Sequence, residues 1–94
     1  MNVIEKIKEL KYRFDGIELV GLTGSALYKK EPNDIDIVYK IDEKFLKVCD
    51  PLRFYSYLFS IKKELENIFQ KPVDLIDITT LNATARKYMK IEYV

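Results

Sequence analysis

Histidine is absent from this 94-residue sequence. That absence excludes Ser-His and Cys-His nucleophilic catalysis, imidazole acid–base chemistry and histidine-ligated metal sites. Cysteine occurs once, at Cys49, so no intramolecular disulfide can form and a thiolate zinc site lacks ligands. Cys49 is expected to be a buried or partly buried free thiol. No apolar run approaches the ~20 residues of a membrane span. Charges near the N-terminus stand where a signal peptide would need its apolar stretch. A reducing, cytoplasmic setting is the expectation. Excess charge of one sign is also lacking: 16 Lys and Arg against 15 Asp and Glu leave +1. Nucleic acid binding through broad phosphate contacts therefore has no electrostatic support. Gly and Pro number only three each while 48% of residues are apolar, which describes a globular chain and not a disordered one. A length of 94 residues predicts a single domain spanning 1–94. Any catalysis must fall to carboxylates, lysines, tyrosines, hydroxyls or a metal.

The hydrophobic pattern predicts the order α-β-(turn)-β-α-β-α, without repeats or linkers. Val3, Ile4, Ile7, Leu10 and Phe14 recur at helical spacing, and Asp15-Gly16 is expected to end that helix. Ile17–Leu22 reads as a first strand, followed by a Thr23-Gly24-Ser25 turn. A helical turn over Ala26–Lys30 is expected to break at Glu31-Pro32-Asn33. Asp34–Ile41 reads as a second strand, with Asp34, Asp36, Val38 and Lys40 on one face and Ile35, Ile37, Tyr39 and Ile41 on the other. Asp50-Pro51 is a helix entry. The helix runs from about Leu52 to Phe69, with Leu52, Tyr55, Leu58 or Phe59, Lys62, Leu65 and Phe69 as its expected buried stripe. Val73–Ile78 reads as a third strand. Thr79–Lys90 is expected to form a last helix, capped by Thr79 or Thr80 and burying Leu81, Ala85 and Tyr88 or Met89. Together these elements predict an α+β fold: a small mixed sheet of three or more strands with helices on one face.

Asp34 and Asp36 interrupt an apolar strand, ~6.6 Å apart along the chain on one face. Pairing with the third strand would bring Asp74 within reach. Three converging carboxylates repel one another unless protonated or bridged by a cation. An oxygen-only ligand set suits Mg²⁺ or Mn²⁺, and a pair of such ions serves in-line displacement at phosphorus. The competing reading is an edge strand with one wet face, whose aspartates oppose aggregation. Asp42 and Asp77 read as surface or capping residues. Gly24-Ser25, between a strand and a short helical turn, offers backbone N–H groups and a hydroxyl to a phosphate, and equally describes an ordinary turn.

In combination, Gly24-Ser25, Asp34-Ile35-Asp36 and the later strand "VDLIDI" resemble the minimal nucleotidyltransferase family of the polymerase β-like superfamily. The resemblance covers roughly residues 17–78. It implies a Mg²⁺-dependent transfer of a nucleoside monophosphate, AMP from ATP, to a hydroxyl with release of pyrophosphate. By that likeness Gly24 and Ser25 hold the β- and γ-phosphates, Asp34 and Asp36 bind two Mg²⁺ ions, and Asp74 completes the site. It further implies that the acceptor comes with a partner, a tyrosine of a small helical HEPN-type protein in a toxin–antitoxin pair. The segment after Gly24-Ser25 is "ALYKK", where the family commonly carries Arg and Gly. Lys29 or Lys30 would then neutralise the triphosphate, or simply be solvated loop residues.

Two other readings stay open at this stage. One is a transferase-fold module with little or no turnover that binds and regulates a partner. The other is an oligomer whose aspartates only protect a strand edge. The tyrosines and phenylalanines read mainly as core and interface; Tyr28, Tyr55 and Tyr57 are alternative base-stacking residues that the sequence does not separate. Arg86 reads as solvent-exposed.

Overall fold

The structure, a computed structural model, describes residues 2–28, 32–48, 50–81 and 89–94, excluding the Ser25 side chain. Lys29, Lys30, Glu31, Cys49 and Arg86, each singled out above, lie outside these residues, as does most of the expected last helix.

Helix α1 spans Val3–Leu10 and is capped by Asn2, whose side-chain oxygen accepts from the Glu5 N–H at 3.2 Å. It ends at Leu10, not at Asp15-Gly16. Phe14 instead bridges to Ile17, and Gly16 (φ +74°) forms the turn between them. A side chain at Gly16 would collide with the Phe45 ring, so the turn needs glycine for space as well as for its left-handed backbone.

Strands β1 (Ile17–Thr23) and β2 (Ile35–Ile41) pair antiparallel. Their register runs regularly from Ile17↔Ile41 to Leu19↔Tyr39, then resumes at Gly21↔Val38, leaving Val20 as the extra residue of a bulge. The bulge shifts the alternation by one. Leu19 and Leu22, three apart, both join the core, and Thr23 is turned to the face of Asp36. Between the two strands the chain makes a 3-10 turn at Gly24–Leu27, beginning two residues earlier than expected.

After β2, Asp42 accepts from the Lys44 N–H and opens a short helix α2 (Glu43–Val48) that the hydrophobic pattern did not reveal. Helix α3 (Pro51–Phe69) begins where expected: the Asp50 carboxylate accepts from the Leu52 N–H at 2.8 Å with Pro51 in the first turn. It ends at Gln70 in the left-handed region, φ 57°. Its buried face matches the expected stripe at Leu58, Leu65 and Phe69 and departs from it at Leu52 and Tyr55. Ile61, Leu65 and Phe69 are in the core with Phe54 and Leu58 against them, while Leu52 is 79% and Tyr55 69% exposed.

Strand β3 (Val73–Asp77) lies parallel to β2, from Ile35↔Val73 to Tyr39↔Asp77. Two bonds anchor its start: Ile35 N–H donates to the Pro72 carbonyl at 2.9 Å, and Val73 N–H to the Glu66 carboxylate of α3 at 3.0 Å. Ile78–Thr80 is a 3-10 turn capped by Asp77, not the start of a capped α-helix at Thr79 or Thr80. Met89 and Lys90, at the other end of that expected helix, are not helical. A fourth strand, β4 (Ile91–Tyr93), follows and pairs antiparallel with β1.

The described strands thus form one mixed sheet in the order β3-β2-β1-β4. Ile7 and Leu10 of α1 and Ile61, Leu65 and Phe69 of α3 pack with Leu19, Leu22, Ile35, Ile37 and Tyr39 of the sheet in one cluster. This is the expected α+β architecture. The competing reading of Asp34–Ile41 as an edge strand with one wet face fails: β2 lies between β3 and β1, and Val38 is fully buried beside Asp36 and Lys40. Among the described residues no helix is long and apolar enough to cross a membrane.

Candidate active site

One row of residues crosses the sheet where the β1–β2 turn leaves it. Ile91 of β4 is opposite Thr23 of β1, Thr23 opposite Asp36 of β2, and Asp36 beside Asp74 of β3. Asp34 precedes β2 by one residue and lies two positions from Asp36, on the same face. Parallel pairing of β2 with β3 therefore does what the sequence pattern required. It sets the third carboxylate directly beside the Asp-x-Asp pair.

Asp34, Asp36 and Asp74 each offer a carboxylate oxygen, and these oxygens all lie within 4.8 Å of one another. Asp36 stands between the other two and is the least exposed of the three. Its partial burial, then the neighbouring Asp34 and Asp74 carboxylates, and finally a hydrogen bond with Asp74 push its pKa above the ordinary 3.8. Three acidic groups at this spacing form a site suited to a hard divalent cation. Oxygen-only ligands match Mg²⁺ or Mn²⁺, and the mutual repulsion that burdens the cluster is what such a cation would relieve.

Gly24 abuts the cluster. It has φ +78°, and a Cβ on it would fall onto a carboxylate oxygen of Asp36. Glycine at this position is a requirement of geometry twice over, by backbone conformation and by the approach of the turn to Asp36. Ser25 follows it in the 3-10 turn. Thr23, only 3% exposed, donates its hydroxyl to the Lys90 carbonyl at 2.6 Å and so ties β4 to the same end of the sheet. Nothing in the sequence pattern singled out Thr23, because its orientation depends on the bulge at Val20 and its partner on a strand of three residues.

The other aspartates are structural. Asp77 accepts from both the Thr79 N–H and hydroxyl, and Asp42 from the Lys44 N–H, as capping residues do. Tyr55 is exposed on α3, and Tyr57 donates to the Asp15 carbonyl at 2.8 Å, so both lie away from the carboxylates. Tyr28 ends the turn that begins at Gly24 and is 71% exposed. A cleft of about 610 Å³ opens elsewhere, lined by Tyr12, Phe14, Gly16, Ile17 and Ile41. It sits roughly 17 Å from Asp36 along β2, counted as five residue rises.

The family described as polymerase beta, nucleotidyltransferase matches residues 5–92, almost the whole chain. The chain belongs to this nucleotidyltransferase family. No curated protein and no solved structure matches it. Family membership assigns nucleotidyl transfer as the general role, with a nucleoside triphosphate as substrate class. The three-carboxylate cluster sits beside the strand-to-turn junction at Gly24.

Proposed function

We propose that the protein transfers AMP from ATP to a hydroxyl group, with Asp34, Asp36 and Asp74 as ligands for two Mg²⁺ ions. The convergence of three carboxylate oxygens within 4.8 Å on one sheet face is the observation that carries this reading. Gly24 and Ser25 are assigned to the β- and γ-phosphates. The close approach of Gly24 to Asp36 supports that assignment, because phosphates held by the turn would lie against the carboxylates. Bound Mg²⁺ would supply positive charge to the triphosphate and its developing pyrophosphate. Asp34 and Asp36 orient the donor through their fixed spacing at the start of β2. Asp74, exposed at the rim, accepts the hydrogen bond of the incoming hydroxyl. The bond from that oxygen to the α-phosphorus forms as its proton passes to Asp74, the α–β anhydride breaks and pyrophosphate leaves.

In this reading residues 1–94 act as one cytoplasmic domain, and the acceptor is a tyrosine of a small helical HEPN-type partner that the transfer silences. The exposed stripe of Leu52, Tyr55 and Phe59 on α3 would suit docking of such a helical partner. Calorimetric titration of ATP with Mg²⁺ into the wild type and into the Asp34→Asn, Asp36→Asn double variant tests the site. Binding that requires Mg²⁺ and disappears in the double variant is the expected result. Equal heats in both proteins would overturn the metal–triphosphate assignment and leave a partner-binding module without nucleotide chemistry.

A further inference from the structure

We propose that the acceptor reaches this site as an extended peptide that adds a strand to the free edge of β3, with its tyrosine opposite Asp74. The inference rests on the nucleotide-site reading above and names the conformation in which the acceptor binds. The row that crosses the sheet fixes the direction of approach. The Gly24 turn, assigned to the leaving phosphates, lies on one flank of Asp36, and Asp74 lies on the other. In-line displacement puts the incoming hydroxyl on the side away from the leaving group, and so beyond Asp36 toward Asp74. The next place along that row is the outer edge of β3, which ends the order β3-β2-β1-β4.

The ladder decides which groups this edge offers. Ile35 N–H donates to the Pro72 carbonyl at 2.9 Å. In the parallel register Asp74 and Ile76 therefore turn their backbone groups toward β2, while Val73, Leu75 and Asp77 turn theirs outward. Both ends of the edge are already closed: the Val73 N–H donates to the Glu66 carboxylate at 3.0 Å, and the Asp77 carbonyl accepts from the Thr80 hydroxyl at 2.7 Å. Between them the Val73 carbonyl, both groups of Leu75 and the Asp77 N–H have no partner among the described residues. A short peptide strand supplies what these groups need. Its residue opposite Asp74 would lie ~4.7–4.9 Å away and present its side chain on the carboxylate face. Tyrosine there carries its hydroxyl past the carboxylate, to the level of a phosphate above it. The phenolic oxygen bonds the α-phosphorus, its proton passes to Asp74, and the α–β anhydride breaks to release pyrophosphate.

The experiment incubates acetyl-Thr-Val-Tyr-Val-Thr-amide with the protein, ATP and Mg²⁺, and reads AMP on the tyrosine by mass spectrometry. Wild type should label it. The same peptide N-methylated at Val-Tyr-Val keeps the tyrosine but cannot donate to a ladder, and should be labelled less by roughly tenfold or more. Leu75→Pro removes an outward donor, spares the β2–β3 ladder and should lose labelling to the same extent. Leu75→Ala keeps the donor and should retain most of the labelling. Calorimetry with ATP and Mg²⁺ should be unchanged in both variants, which separates loss of the edge from loss of the fold. Independently of any variant, the peptide should slow amide exchange at Leu75 and leave Ile76, already bonded to β2, as it was. Equal labelling of the two peptides overturns the proposal, as does an equal loss in Leu75→Ala and Leu75→Pro. Wild type that binds ATP with Mg²⁺ but leaves the peptide unlabelled overturns this proposal alone. Leu75 exchange that slows with protein concentration and not with peptide makes a second copy the occupant and overturns it too. Wild type without Mg²⁺-dependent ATP binding overturns the site reading and this proposal together.

Discussion

Asp36 sits where three demands meet: the strand needs it in register with Thr23 and Asp74, the turn needs room for Gly24 against it, and its two acidic neighbours oppose its charge. The last of these has a measurable consequence. Without a divalent ion, Asp36 holds its proton more tightly in the folded chain than in the unfolded one. Stability therefore falls as pH rises from about 3.8 through the raised folded value, and is level beyond it. Asp36→Asn removes this slope. Its melting temperature in chelator at neutral pH should exceed that of wild type by a few degrees, and the two should converge below about pH 3.8. Thermal unfolding across that range checks it, and a variant no more stable at neutral pH would mean that neither partial burial nor the neighbouring carboxylates oppose the charge on Asp36. Excess Mg²⁺ should reverse the order by stabilising only wild type. At this scale much was legible in advance. Paired aspartates in an apolar strand are costly enough to stand out, and Asp74 rather than Asp77 is singled out because it opens its apolar strand directly after Val73; the parallel register sets it beside Asp36. The role of Thr23 was not legible, because one bulged residue, Val20, decides which way it points.

Helix α3 shows how an element can be read correctly and its face only in its C-terminal half. Asp50-Pro51 announced its start and Lys71-Pro72 its end through local chemistry, and both hold. Its first two turns are apolar nearly all round, so the N-terminal half supports two stripes about equally. Starting from Leu52 leads through Tyr55 and Phe59 to Lys62, and must then jump phase to reach Leu65. Starting from Phe54 leads through Leu58 and Ile61 to Leu65 and Phe69 without a jump, and this is the face the sheet buries. The second half of the helix, where Ile61 and Leu65 alternate with Lys62 and Glu66, carries the decision. Leu65→Ala should cost about 2–5 kcal/mol, as deletion of a fully buried leucine does. Leu52→Ala, at 79% exposure, should change stability by no more than about 0.5 kcal/mol. Urea denaturation of both variants measures the difference. Comparable losses at the two positions would restore the stripe that begins at Leu52. The helix α2 escaped notice for a related reason: with no residue fully buried, it has little hydrophobic period to read.

For the molecule as a whole, the order β3-β2-β1-β4 keeps the β4 edge apart from the strands that carry the carboxylates. The long connection through α2 and α3 permits parallel pairing of β2 with β3, which assembles the carboxylates. That pairing could be anticipated from apolar strands on either side of a long helix. The β4 edge could not, since "IEY" is too short for a period and its docking depends on a glycine in another strand. At Gly21 a Cβ would stand 2.7 Å from Ile91 Cγ2 and 2.9 Å from the Glu92 carbonyl oxygen. The second of these is backbone, so β4 itself would have to move. Gly21→Ala should therefore loosen the edge while leaving the carboxylates in place. Amide exchange at Val94, whose N–H bonds the Val20 carbonyl at 3.0 Å, should accelerate relative to Ile37 in β2. Mg²⁺ binding should persist, because Asp34, Asp36 and Asp74 all come from the other side of β1. Unchanged exchange at Val94 would show that the sheet absorbs the methyl without moving β4. Faster exchange with Mg²⁺ binding intact makes β4 an edge whose docking depends on one glycine while the carboxylates are held by the pairing of β2 with β3.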